Sequence, residues 1–299
     1  MSEFASVKIG TRGSPLALAQ SSMIRQQLAL AWPSHHFELI TIKTTGDSLQ
    51  ETLVKPAEST KAIFTKEIEE ALLEKKIDLA IHSAKDLAAH MPEGLHLASV
   101  PLRASPCDVL VLKPGISPLE AQQGLILSGS ARRQRQWLDL HPQAQVEPVR
   151  GNIDTRLKKL LLHPRACGLL LAAAGLERLQ PDLLGCSLHP LPPHEFIPAP
   201  GQGTLALQSR CDDPATSQLL LALHDPISAF TLTAERSFLT AMNAGCSVPL
   251  GAYAWLEKGQ LHLEAIFYPS GNIPALRHRI LGDTSQAELL GKKLAERFL

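Results

Sequence analysis

The feature that most constrains this chain is a repeated alternation of short apolar runs, polar turns and amphipathic stretches between residues 7 and 172. Residues 7–11 read as a strand, and Arg12-Gly13 turns the chain. Ser14 then stands where a helix needs a cap, and Pro15 occupies the helical position that tolerates proline best. A helical pattern runs over 16–31 and stops before Pro33, and 37–43 alternates like a strand. Residues 64–76 predict a helix with acids early and lysines late, as the helix dipole favours, and 78–83 a buried strand. After 101–106 the pattern resumes, with strands at 109–112, 124–127, 145–149 and 168–172 and helices at 131–140 and 153–162. Strands alternating with helices predict α/β domains on largely parallel sheets. Residues 188–203, dense in proline and glycine, read as a linker or hinge. Beyond 225 a helix (229–241), three strands (251–256, 260–268, 275–281) and a last helix (285–298) predict a small α+β module.

Composition excludes several function classes. The 29 basic and 29 acidic residues cancel, so the chain lacks the positive field on which general nucleic-acid binding depends. No signal peptide is expected from residues 1–6, which include Glu3 and lack both a basic and an apolar segment. The most apolar run, 168–176, is far shorter than the roughly 20 residues of a membrane span. A soluble cytoplasmic protein is the expectation. Cysteines at 107, 167, 186, 211 and 246 form no Cys-x-x-Cys pair, which argues against a disulfide framework or a zinc site. Cys167, Cys186 and Cys211 are expected to be small buried hydrophobes. Twelve histidines show no metal-binding spacing, and no metal is expected.

The basic residues gather where strands give way to helices. Arg12 follows the first strand and Lys85 the strand ending at Ser83. Arg132 and Arg133 open the helix after Ser130, while Arg150 and Arg156 flank the next one. In open α/β sheets ligands bind at the carboxyl ends of strands, where helix N-termini favour anions. Arginine adds a planar fork that matches a carboxylate, and Ser14 and Ser130 offer hydroxyls. A single arginine at one junction reads as a solvated surface charge. The same arrangement at four junctions reads as a basic site for a polyanionic small molecule. Asp86 stands among these bases, placed either to act as acid, base or cation stabiliser or to cap a helix or pair with a lysine.

Nearly end to end, these residues resemble the porphobilinogen deaminase family. The resemblance is carried in order by Thr11-Arg12-Gly13-Ser14-Pro15-Leu16-Ala17-Leu18-Ala19-Gln20, Phe64-Thr65-Lys66-Glu67-Ile68 and His82-Ser83-Ala84-Lys85-Asp86-Leu87. It continues through Ser130-Ala131-Arg132-Arg133-Gln134, Arg150-Gly151-Asn152-Ile153-Asp154-Thr155-Arg156-Leu157 and Ala172-Ala173-Ala174-Gly175-Leu176. Pro200-Gly201-Gln202-Gly203, Ala234-Glu235-Arg236 and Gly245-Cys246-Ser247-Val248-Pro249-Leu250-Gly251 complete it. One such string is weak evidence, and this many in order is strong.

The resemblance implies two doubly wound α/β domains like the halves of type II periplasmic binding proteins, with a cleft between them, plus a small α+β C-terminal domain. The implied boundaries are 1–104 with 200–223, then 105–199, then 224–299. It implies a transferase of tetrapyrrole synthesis that condenses four porphobilinogen molecules head to tail into hydroxymethylbilane, releasing ammonia, as a monomer. The implied cofactor is a dipyrromethane held through a thioether to Cys246. Ser83, Lys85, Ser130, Arg132, Arg133 and Arg150 are implied to hold that cofactor. Arg12, Ser14, Gln20, Arg150, Arg156 and Gln202 are implied to bind substrate, with Lys61 and Phe64 in a loop beside the cleft. Each ring carries acetate and propionate, so the growing chain accumulates negative charge, which accounts for the basic residues. Asp86 is implied to be catalytic, stabilising the azafulvene-like cation left when ammonia departs.

The sequence also departs from the family pattern. Lys55-Pro56-Ala57-Glu58-Ser59-Thr60-Lys61 stands where a glycine-rich stretch is usual, and Ser128-Gly129-Ser130-Ala131 where Gly-Thr-Ser-Ser-Leu is usual. Cys107 replaces a common arginine, and Ala88-Ala89 a proline-containing turn. Two alternatives therefore stand beside the enzyme reading. One is a divergent member with weak or no turnover; the other is a non-catalytic anion-binding protein on the same scaffold.

Overall fold

The computed structural model describes residues 5–44, 62–243, 248–270 and 273–299. The chain divides into two compact units, Met1–Ala104 with Thr204–Thr233, and Ser105–Gly203 with Ala234–Leu299.

In the first unit, β1 (Ala5–Arg12), β2 (His35–Ile42), β3 (Leu79–Ser83), β4 (Leu95–Ser99) and β10 (Leu205–Arg210) form one sheet in the order β2-β1-β3-β10-β4. β1 pairs in parallel with β2 and β3, and β10 runs antiparallel to both β3 and β4. Helix α1 (Pro15–Ala31) buries Ile24 and Leu28 against Val7, Ile9, Leu79 and Leu207. Helix α2 (Ala62–Leu73) buries Ile68 and Leu72 with Ile77, Ala80 and Leu95. The sheet is thus covered on both faces, as near-continuous apolar strands require.

The second unit repeats the plan. Its strands β5 (Asp108–Leu112), β6 (Leu125–Leu127), β7 (Gln145–Glu147), β8 (Ala166–Ala172) and β9 (Ser187–Leu191) lie in the order β7-β6-β8-β5-β9. β6 is parallel to β7 and β8, and β5 is antiparallel to β8 and β9. Helices α3 (Pro118–Ala121), α4 (Ala131–Leu140), α5 (Ile153–Leu162) and α6 (Ala173–Leu179) flank it. Val109, Val111, Leu157, Leu169 and Leu171 form the core on one face, and Leu110, Leu112, Ile126, Trp137 and Phe196 that on the other. In each sheet the single reversed strand is the first to follow the passage of the chain from one unit to the other, β5 after Ala104 and β10 after Gly203. Helix α7 (Pro214–Leu220) follows β10.

Helix α8 (Pro226–Ala241) leads into the antiparallel sheet β11 (Leu250–Glu257), β12 (Gln260–Phe267) and β13 (Leu276–Gly282), and α9 (Ala287–Ala295) closes the chain. Alternate residues of β11 and β12, including Ala252, Ala254, Leu261 and Leu263, pack on Phe238, Leu290 and Leu294. The two helices touch backbone to backbone, because a Cβ on Gly291 would lie 2.5 Å from the Ala234 carbonyl oxygen.

Two expectations are corrected. Residues 188–191, read as linker, belong to edge strand β9, where Pro190 is tolerated because an edge strand can spare a ladder donor. The following 196–202, read with it as a linker or hinge, buries Phe196, Ile197 and Gln202 and leads to the passage between the units after Gly203. Cys211, expected inside, is exposed just past the end of β10; Cys186 is buried and Cys167 half-buried.

Candidate active site

The sheet register gathers the predicted residues at strand ends. In the first unit Gly10 pairs with Ala80, so the parallel strands β1 and β3 finish at one edge with Arg12 and Ser83. Ser14 caps α1 as expected, its hydroxyl accepting from the Ala17 N–H at 3.3 Å. Buried Thr11 braces the turn by donating to the Ala17 carbonyl at 3.3 Å and accepting from the Ser21 hydroxyl at 2.7 Å. Gln20 reaches back from α1 to the end of β3, its amide donating to the Ser83 hydroxyl at 3.1 Å with a return bond at 3.2 Å. After Ser83 the chain makes one 3₁₀ turn, Ala84–Asp86. The Ala84 N–H donates to the Thr204 carbonyl at 3.0 Å, and Ala84 and Leu87 are buried. These anchors hold half-buried Lys85 and Asp86 at the strand end.

In the second unit β6 and β7 end side by side. Gly129 fits between them because a Cβ there would lie 2.5 Å from the Val149 carbonyl oxygen. Ser130 caps α4, its hydroxyl accepting from the Arg133 N–H at 3.5 Å. Gly151 follows Arg150 with φ +115°, a conformation that glycine adopts without strain. Arg150 is exposed, whereas half-buried Arg156 donates through Nε to the Gly151 carbonyl at 2.6 Å.

Arg132 and Arg133 are not surface charges. Both are buried against Asp108, with Arg132 Nη1 2.7 Å from Oδ2 and Arg133 Nε 2.8 Å from Oδ1. Because β5 runs against its neighbours, its first residue, Asp108, faces Ala172 at the carboxyl edge of β8. Gln202 completes the cluster, donating to Asp108 Oδ1 at 2.9 Å and to the Pro106 carbonyl at 2.8 Å while accepting from Arg133 Nη2 at 3.3 Å. Burial by itself would raise the Asp108 carboxyl, but the two guanidiniums and the hydrogen bonds from Arg132 and Gln202 overcome it and hold the group at about 2. Arg156 is lowered by burial and then by the nearby charge of Arg133.

Two residues of this site escaped the sequence reading. Asp108 is one. Arg178 is the other, its guanidinium desolvated and donating through Nη2 to the Gly203 carbonyl at 2.6 Å. Arg178 lies only two residues past the motif ending at Leu176, so proximity was an available signal; Asp108 offered none beyond its place at a strand start. Cys246 and Lys61 lie outside the described residues, and Phe64 falls in the first turn of α2.

Residues 7–218 match the family model "Porphobilinogen deaminase, dipyromethane cofactor binding domain", and residues 229–299 match "Porphobilinogen deaminase, C-terminal domain". The chain belongs to the porphobilinogen deaminase family. The porphobilinogen deaminase of Thermus thermophilus is 44% identical over 97% of this chain and 94% of its own length. That of Deinococcus radiodurans is 39% identical over 97% and 94%. Similarity to solved structures is looser. The BenM effector binding domain is 18% identical with TM-score 0.45, over 73% of this chain and 90% of its own. An ancestral cationic amino acid solute binding protein is 13% identical with TM-score 0.45, over 73% and 88%. Among the described residues no helix is long and apolar enough to cross a membrane, and no cluster of histidine, cysteine, aspartate and glutamate could hold a metal ion.

The residues present fit the dipyrromethane of a porphobilinogen deaminase, a group bearing an acetate and a propionate on each ring. Arg132 and Arg133 set two guanidiniums against the single carboxylate of Asp108, half-buried Arg156 feels the charge of Arg133, and buried Arg132 Nε has no hydrogen-bond partner. Such a cluster keeps a positive surplus in a desolvated place, where a carboxylate gains most from charge-assisted hydrogen bonds.

Proposed function

We propose that this chain is a hydroxymethylbilane synthase, condensing four porphobilinogen molecules head to tail with loss of one ammonia per ring. The observation that carries this reading is the surplus of buried positive charge around Asp108, at strand ends where the family's motifs also fall. A polyanionic ligand accounts for it; a protein needing only a stable core has no use for it, because desolvated cations cost stability unless they are paired.

The dipyrromethane, attached through Cys246, supplies a primer with a free pyrrole α-carbon. Ser83, Lys85, Ser130, Arg132, Arg133 and Arg150 are assigned to holding it. Arg12, Ser14, Gln20, Arg150 and Arg156 bind the carboxylates of incoming substrate, with Lys61 and Phe64 beside them, while Gln202, whose amide is engaged by Asp108, Pro106 and Arg133, serves substrate binding through that cluster. Arg12 and Ser14 work at the N-terminus of α1 and Ser130 at that of α4, where the helix dipole assists anion binding. Gln20 orients Ser83. Arg132 serves through the cluster it forms with Asp108 and Ile197. Asp86 is the catalytic residue. As the substrate's aminomethyl C–N bond breaks and ammonia leaves with the electron pair, positive charge develops on the pyrrole. A carboxylate fixed at the end of β3 stabilises that charge where it appears.

The division into domains 1–104 with 200–223, 105–199 and 224–299 belongs to the same proposal, as do a monomeric state and a cytoplasmic location. Porphobilinogen turnover tests the function directly. Ammonia should be released at one equivalent per ring incorporated, and a linear tetrapyrrole should be the product. Tight binding of porphobilinogen with no ammonia released would instead support a binding protein on the same scaffold.

A further inference from the structure

We infer that Asp108 is a positioning residue for the reaction, clamping Arg133 by one edge of its guanidinium so that the other meets ligand carboxylates. The inference rests on the deaminase reading but adds a residue and a division of labour to it. Asp108 is fully buried, and each of its carboxylate oxygens takes one arginine. The two arginines are used differently. Arg132 spends Nη1 on Asp108 Oδ2 and on the Ile197 carbonyl, at 2.7 and 2.8 Å. It is thereby tied to a segment that Gln136 also fixes, through a reciprocal pair of 2.8 Å bonds with the Ile197 backbone.

Arg133 is held by its inner edge. Its Nε binds Asp108 Oδ1, and Gln202 supports Nη2 at 3.3 Å. Gripping a guanidinium at Nε fixes its plane and leaves the outer edge for a ligand, which is how a fork-shaped donor is pre-organised. Arg133 also lies close enough to Arg156 to depress that group's pKa, and Arg156 has no ion-pair partner among the described residues. Arg133, gripped by Asp108 and Gln202 in a buried place, is a pre-oriented receptor for carboxylate. Asp108 pays the local cost by neutralising one charge of the adjacent pair.

The test compares wild type, Asp108→Asn, Arg132→Gln and the double variant Asp108→Asn/Arg132→Gln, each checked by denatured mass for its two-pyrrole adduct. A wild type with neither adduct nor turnover would overturn the deaminase reading before any variant is compared. Asp108→Asn leaves two buried arginines, Arg132 and Arg133, without their carboxylate and is expected to lose stability as well as binding. In the double variant Arg133 alone is left without its carboxylate, the net charge of the trio is again that of wild type, and thermal unfolding should return part of the way toward wild type. If Asp108 positions Arg133, KM for porphobilinogen is higher in the double variant than in Arg132→Gln by about 30-fold or more, the loss that follows breaking a buried charge pair, with kcat lowered far less. A KM in the double variant equal to that of Arg132→Gln would make Asp108 a counter-ion for the core only and overturn the inference. So would failure of the double variant to fold, because the carboxylate would then be a requirement of the core rather than of the arginine.

Discussion

Asp86→Asn is expected to keep its covalent two-pyrrole adduct and to lose turnover by about 10²–10³-fold, the usual cost of removing one preorganised electrostatic stabiliser. The amide matches the carboxylate in shape, so the 3₁₀ turn Ala84–Asp86 and its buried flanks Ala84 and Leu87 are undisturbed. The charge that opposes the developing pyrrole cation is what disappears. Carboxylate recognition belongs to the arginines and serines of the strand ends, so KM for porphobilinogen should change much less than kcat. Single-turnover ammonia release against porphobilinogen concentration separates the two parameters. Near-normal kcat would remove Asp86 from the catalytic role.

Glu235→Ala carries the largest expected effect on stability. Glu235 is fully buried in α8, where Oε2 accepts from the Gly201 N–H at 2.6 Å and Oε1 from the Ala254 N–H at 2.8 Å. The Ala252 N–H donates to the Pro198 carbonyl at 2.9 Å beside it, so the carboxylate staples the segment before Gly203 to β11. Gly251 allows that approach, since a Cβ there would lie 2.7 Å from the Ile197 carbonyl oxygen. Truncation orphans two buried donors at about 1–3 kcal/mol each and should lower the thermal midpoint by about 5–15 °C. Glu235→Gln keeps one acceptor oxygen and should fall between the two. A midpoint within a degree of wild type in Glu235→Ala would show that these bonds contribute little.

Local chemistry was the legible part of the sequence. The serine caps of α1 and α4, the bounds of α4 and α5, and the strands β1, β3, β5 and β12 follow from periodicity and capping, which act within a few residues. What stayed hidden depends on tertiary partners. Strand β10 buries Gln208, Ser209 and Arg210. Arg210 is satisfied by Asp213 and by the Ile77 carbonyl, so the strand reads as polar and is easily passed over. Strand β9 contains a proline that signals a break unless the strand is known to lie at an edge.

The same distinction holds in the site. That basic residues mark the strand ends was visible from spacing. That Arg132 and Arg133 are buried was not, because their carboxylate lies 24 and 25 residues earlier in the chain. It reaches them only because β5 is the reversed strand of its sheet, which carries the start of that strand to the edge where its neighbours finish. Gln20 and Ser83, 63 residues apart, meet for a related reason: parallel pairing of β1 with β3 brings the helix after one strand to the end of the other.

The central claim is that this chain builds on a covalent primer, and the denatured intact mass of protein purified from a host that makes porphobilinogen tests it most directly. The account predicts a mass increase of two pyrrole units that is absent from Cys246→Ser. An unmodified mass, or an adduct that persists in Cys246→Ser, would contradict it.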